Sequence, residues 1–204
     1  MLDPTVRPDR PLTNVLRVAA AAGVRLFQYR DKQGTMKDAY RQALALRQVA
    51  TEVGAMLIIN DRCDLALAVN ADGVHLGQDD LPLPDARQML GPEAIIGLST
   101  HNPEQVRVAA ALQPDYIGFG PIFGTTTKAD HDPVVGLEGL RAARALTTLP
   151  IFAIGGITSQ HVSDIMTAGA DGVAVISAIL KAADLEAAIK TFLHPRSTPA
   201  RPTH

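Results

Sequence analysis

Runs of four or five apolar residues alternate with stretches of helical periodicity along most of this chain, and each run ends in a polar or glycine-rich cluster. The clearest example lies between Met56 and Asp80. Met56-Leu57-Ile58-Ile59 has the length and composition of a buried strand, Leu65, Leu67, Ala68 and Val69 follow at helical spacing, and Gly73-Val74-His75-Leu76 is a second short apolar strand. Strands that are apolar throughout are covered on both faces, which implies a parallel sheet under helices. In a parallel βαβ unit both carboxyl ends point the same way, so Asn60-Asp61 and Gln78-Asp79-Asp80 share one rim. Carboxylates gathered there are costly unless a cation sits between them.

The same alternation predicts further strands at 24–28, 94–98, 115–119, 150–154 and 172–176. It predicts helices at 14–22, 36–53, 84–90, 103–112, 137–145, 159–168 and 185–193. Thr13 is the expected cap of the first helix. Asn102, Pro103 and Gln105 form the clearest helix start, a capping box with proline in the first turn. Ala22-Gly23-Val24, Ala71-Asp72-Gly73-Val74 and Gly169-Ala170-Asp171-Gly172-Val173 repeat a small-residue turn before a strand, and Pro114-Asp115-Tyr116-Ile117 resembles them. So many βα units in one small domain point to a (β/α)8 TIM barrel at residues 1–193, with 194–204 as a flexible tail. Only seven strands are legible, so the first is expected to be truncated or vestigial within 1–11; an open flavodoxin-like sheet, with five or six strands, is the rival architecture. Residues 124–135 make a connection long enough to serve as a lid or ligand loop.

Composition narrows the function. A formal net charge of −2 argues against a nucleic-acid groove or a polybasic membrane surface, and no apolar run is long enough to cross a bilayer. Cys63 is the only cysteine, so no internal disulfide can form and a cytoplasmic home is expected. The 6 histidines lack the spacing of a zinc site.

Barrel enzymes work at the carboxyl ends of their strands, so the rim can be read as one inventory. It holds Gln28, Arg30 and Lys32; Asn60 and Asp61; Gln78, Asp79 and Asp80; Ser99; Thr125, Thr127 and Lys128; Gly155 and Gly156; and Ser177. Cations, carboxylates, hydroxyls and glycine turns together suit Mg²⁺ and a polyphosphate, because Mg²⁺ takes one or two carboxylates and completes its shell with water and phosphate. Glycines after the last two strands suit a second, monoester phosphate held by backbone N–H groups. Each signal also has a plain structural reading. Arg30-Asp31-Lys32 can be a solvated charge run, Asp61 a helix-terminal acid, Asp79-Asp80 turn residues, and His75 a packed strand residue. Their coincidence at one rim favours the functional reading.

The motifs QYRDK, IINDR, DGVHLGQDDLP, IGLSTH, YIGFGPIFGTTTK, VGLEGL, AIGGI and AGADGVAVISAI, in that order, resemble those of the thiamine phosphate synthase family. That resemblance implies a (β/α)8 barrel and transfer of a hydroxymethylpyrimidine from its diphosphate to a thiazole phosphate. Pyrophosphate would leave first, in a dissociative, Mg²⁺-assisted substitution. It assigns the metal to Asp61 and Asp80, and the pyrimidine to Gln28 and Asn60. The diphosphate falls to Arg30, Lys32, Ser99 and Lys128. The thiazole phosphate falls to Thr125 and Thr127 with the backbones of Gly156, Ile176 and Ser177. Asp79 is then a neighbour, not a ligand.

Two departures from the family pattern stand out. Met1-Leu2-Asp3-Pro4 is all that can match the family's first strand, and the edges it leaves unpaired invite self-association into a homo-oligomer. Gly124 stands where the family often has proline, which should loosen the following loop. A thiazole tautomerase of the same fold, and a phosphate-ligand-binding homologue without catalysis, are the alternative functions.

Overall fold

A computed structural model describes residues 1–124 and 133–194. Its strands run in chain order: β1 (Leu26–Tyr29), β2 (Met56–Asn60), β3 (Gly73–Leu76), β4 (Ile95–Thr100), β5 (Tyr116–Phe119), β6 (Ile151–Ile154) and β7 (Gly172–Ala174). Each pairs in parallel with the next, giving one curled seven-stranded sheet. The helices are α1 (Leu12–Ala21), α2 (Met36–Glu52), α3 (Cys63–Ala68), α4 (Leu83–Leu90), α5 (Pro103–Leu112), α6 (Gly136–Arg144), α7 (Val162–Thr167), α8 (Ser177–Leu180) and α9 (Leu185–Leu193). They cover the outside, and buried Leu46, Leu57, Ile59, Val74, Ile96, Ile117 and Leu140 belong to the core between helices and sheet.

The repeated aspartate before a strand has a physical reason. Asp72 accepts the Leu57 N–H of the preceding strand at 2.7 Å and pairs with Arg47 of α2. Asp115 accepts the Ile96 N–H at 2.7 Å and pairs with Arg87 of α4. Asp171 accepts the Ile151 N–H at 2.8 Å and pairs with Arg144 of α6. Each aspartate thus ties two strands to one helix, and the three stand before β3, β5 and β7, in every second βα unit. Asp72→Ala should cost about 1.5–3 kcal/mol, the worth of a charge-assisted hydrogen bond to a backbone donor. A lowered urea midpoint at unchanged slope would register it, and an unshifted midpoint would count against the strut.

The first strand is the stub that the sequence suggested. Leu2 donates its N–H to the Gln28 carbonyl at 2.7 Å and accepts from the Arg30 N–H at 2.9 Å, while the Met1 ammonium donates to the Val175 carbonyl at 2.8 Å. The stub therefore bridges β1 and the segment after β7, but only at the mouth. Burial brings the Met1 ammonium down to about 6, against the opposing pull of Asp3. Below the stub, between Val24–Phe27, Gly172–Val175, α1 and α9, a largely apolar cavity of about 590 Å³ runs into the barrel interior.

Several local expectations are corrected. Thr13 does not cap α1; the helix starts at Leu12 behind Pro11, with no side-chain cap. The Asn102 side chain does cap α5, accepting the Gln105 backbone N–H at 3.0 Å, but the Gln105 side-chain Oε1 takes the His101 N–H at 2.7 Å and not that of Asn102. The segment expected as one helix at 159–168 is a 3₁₀ turn, Ser159–His161, followed by α7. The last strand is shorter than expected, ending at Ala174. Most of the lid segment, with Thr125, Thr127 and Lys128, and tail residues 195–204 lie outside the described residues.

Candidate active site

The carboxyl ends of the strands open on a cavity of about 1010 Å³, lined by Arg30, Lys32, Asn60, Asp61, Asp80, Ser99, Gly156, Ile176 and Ser177 among others. The sequence-predicted residues within the described part are thereby brought together, except Gln28, which lies deeper among the residues lining the interior cavity.

The acidic pair is set by backbone. Leaving β2, Asp61 adopts φ +64° and still donates its N–H to the His75 carbonyl at 2.8 Å. Aspartate is among the few residues that tolerate this left-handed conformation. Its carboxylate pairs with the Lys32 ammonium and shares a hydrogen bond with Asp80. Asp80 is anchored in turn by the Gly77 N–H at 2.6 Å. Burial, then the hydrogen bond with Asp61, raises the Asp80 carboxyl above its usual range. Asp79 beside it is exposed, so the sequence's ambiguity between two adjacent acids resolves in favour of Asp80 facing Asp61.

Two carboxylates in contact, with a lysine at their edge, form the donor set Mg²⁺ accepts when water and phosphate complete its shell. The residues present fit that ion. The raised Asp80 carboxyl also sets a sign. A carboxyl whose native pKa lies above its unfolded value makes metal-free protein lose stability as pH rises from the ordinary aspartate range through the raised native value. Asp80→Asn should flatten that slope. It should also abolish the rise in melting temperature with Mg²⁺, roughly 5–11 °C at a hundredfold excess over Kd. A variant still stabilised by Mg²⁺ would contradict the pairing.

Arg30 is held from below. Its guanidinium donates to Asp3 at 2.7 Å, and Asp3, 2% exposed, also accepts from the Thr5 hydroxyl at 2.6 Å and the Thr5 N–H at 3.0 Å. Sequence reasoning missed Asp3; the signal was an acid in the vestigial strand, next to the rim. Lys181, just beyond α8, also lines the cavity and was missed.

The glycine turn after β6 is obligatory. Gly155 and Gly156 sit at φ +95° and +61°, and a Cβ on Gly156 would collide with the Phe123-Gly124 backbone. Phe123 donates its N–H to the Gly155 carbonyl at 3.1 Å, locking the start of the long loop onto this turn. After β7 the chain enters α8 at Ser177, a short helix opening beside the same turn within the cavity. Ser99 on β4 faces His75 Nε2 through its hydroxyl at 2.9 Å, and its carbonyl accepts from Gln78 at 2.5 Å. His75 is packed in its strand, as expected, but both ring nitrogens have polar neighbours.

In sequence and in fold the chain is similar to known proteins. A family model described as thiamine monophosphate synthase matches residues 2–179. A thiamine-phosphate synthase of Moorella thermoacetica is 45% identical over 181 residues, covering 89% of this chain and 86% of that one. One of Syntrophomonas wolfei is 46% identical over 184 residues, covering 90% and 88%. A solved thiamine phosphate pyrophosphorylase from Pyrococcus furiosus superposes with a TM-score of 0.82 at 36% identity, over 92% of this chain and 90% of that one.

Proposed function

The chain belongs to the thiamine monophosphate synthase family and is a transferase, and from that premise we propose how its rim carries out the reaction. The substrates are a hydroxymethylpyrimidine diphosphate and a thiazole phosphate, and the products thiamine phosphate and pyrophosphate. The observation that carries this reading is the contact of Asp61 with Asp80 and Lys32 at a mouth that Arg30 also lines.

Asp61 and Asp80 would hold Mg²⁺, which when bound supplies positive charge to the leaving diphosphate. Arg30, Lys32 and Ser99 grip diphosphate oxygens, joined by Lys128 from the loop outside the described residues. As the C–O bond breaks, its electron pair leaves with pyrophosphate, and these groups meet the charge that develops. The pyrimidine methyl cation left behind is attacked by the thiazole nitrogen, whose lone pair forms the new C–N bond. Gln28 and Asn60 orient the pyrimidine. The buried Gln28 carbonyl oxygen has no hydrogen-bond partner among the described residues, and an amino group on the ring is the kind of donor it requires. The Gly156 turn and the chain entering α8 at Ile176 and Ser177 cradle the thiazole phosphate, and the family resemblance adds Thr125 and Thr127, which lie outside the described residues, to the same role.

The chemistry asks for charge stabilisation and little acid–base apparatus, which suits a rim of cations and carboxylates. No described helix is long and apolar enough to cross a membrane, and a cytoplasmic setting accords with the single, buried cysteine. The test is pyrophosphate release with both substrates. Release should require Mg²⁺ and yield thiamine phosphate. Isomerisation of a thiazole carboxylate phosphate without Mg²⁺, and no pyrophosphate, would instead mark a tautomerase.

A further inference from the structure

Below the mouth, four polar side chains form a line through the barrel. Gln28 on β1 stands beside the Tyr116 hydroxyl on β5 as a donor side chain, that hydroxyl lies 3.0 Å from His75 Nδ1 on β3, and His75 Nε2 lies 2.9 Å from Ser99 Oγ on β4. The backbone makes room for this line. A Cβ on Gly97 would collide with the Tyr116 ring and stand 2.5 Å from His75 Nδ1, and one on Gly118 would stand 3.2 Å from His75 Cε1. Phe152 packs edge-on against Tyr116 at 5.3 Å and fixes its ring.

The donors and acceptors assign a direction. Because the Gln28 carbonyl oxygen has no partner among the described residues, it does not take the Tyr116 proton, and the Gln28 group that faces the phenol oxygen is the amide N–H. The phenol then has one proton to give, and His75 Nδ1 is the acceptor in reach. Burial raises the phenol above its ordinary range, so that proton stays on oxygen at neutral pH. With Nδ1 bare, the imidazole proton resides on Nε2 and points at Ser99 Oγ. The Ser99 oxygen accepts it, which leaves the Ser99 hydrogen for a partner in the mouth.

We propose that Gln28, Tyr116 and His75 form a one-way hydrogen-bond relay that holds the Ser99 hydroxyl as a donor toward the bound substrate, with Tyr116 and His75 as positioning residues. The proposal rests on the function proposed above for the identity of that substrate, and it adds a selectivity: Ser99 receives an acceptor atom, such as a diphosphate oxygen, and not a donor.

Two readouts test it. In ¹⁵N spectra of histidine-labelled protein without substrate, His75, assigned by its loss in His75→Gln, should be the Nε2–H tautomer; the Nδ1–H tautomer would overturn the relay. In single-turnover pyrophosphate release, Tyr116→Phe should lower the rate roughly 10-fold or more, as loss of such outer partners commonly does, with KM little changed. In a Ser99→Ala background the same replacement should have no further effect, since the relay acts through that hydroxyl. Equal losses in both backgrounds would make Tyr116 merely structural and contradict the proposal. His75→Gln, which retains a donor for Ser99, should keep more activity than His75→Leu; equal loss in the two would also contradict it. Absence of pyrophosphate release from the unaltered chain would instead overturn the reading of the reaction, and the histidine tautomer would still decide the relay.

Discussion

Asp61→Asn is expected to lower Mg²⁺-dependent turnover by roughly 10²–10³-fold while the barrel stays folded, the range seen when a charge-stabilising group is removed from an active site. Asparagine is the informative replacement. Asp61 sits at φ +64°, where asparagine is tolerated and alanine is strained, so alanine would mix backbone cost with loss of charge. The amide can still donate to Asp80 and leaves the Asp61 N–H bond to the His75 carbonyl untouched. What disappears is one of two negative charges, and with it the partner of the Lys32 ammonium. Steady-state rates at saturating Mg²⁺, set beside a urea melt, separate the two effects. Turnover equal to that of the unaltered chain would remove Asp61 from the metal site.

Arg30→Ala should fail in two ways at once. It takes a cation from the mouth, with a rate loss of similar size, and it strands Asp3, whose carboxylate is buried. Removing one partner of a buried ion pair costs about 3–5 kcal/mol, because the other charge is left without compensation. A second replacement divides the two losses. Arg30→Ala with Asp3→Asn should recover much of the stability, since a neutral amide is cheaper to bury beside Thr5, yet recover none of the turnover. If rate returned along with stability, Arg30 would be a strut for the first-strand stub and not a contact for substrate.

The contrast between Arg30 and Asp3 marks where the sequence stopped being legible. Apolar runs located all seven strands, because strands covered on both faces write their burial directly into composition. Strand ends then brought Arg30, Lys32, Asp61, Asp80 and Ser99 to one rim, since parallel topology leaves no other place for them. What escaped were partners set by tertiary geometry alone. Asp3 lies in a stub with no periodicity, and only the backbone bonds of Leu2 to β1 bring it beneath Arg30. His75 looked like a packed strand residue, and it is one; its bonds to Tyr116 and Ser99 cross strands that are distant in sequence. Thr13 failed as a cap because Pro11 already fixes the turn into α1. The small-residue turn before a strand was visible as a pattern, but the part played by the aspartate in three of its copies, a bond to the previous strand and to an arginine from a helix, required coordinates.

Calorimetric titration of inorganic pyrophosphate, with and without Mg²⁺, probes the diphosphate grip without any turnover. Binding should be strong only when the metal is present, and Asp61→Asn should weaken it at least tenfold while leaving the fold unchanged. Pyrophosphate that bound equally well without Mg²⁺, or was indifferent to Asp61, would mean that the gathered charges at this mouth serve some other ligand.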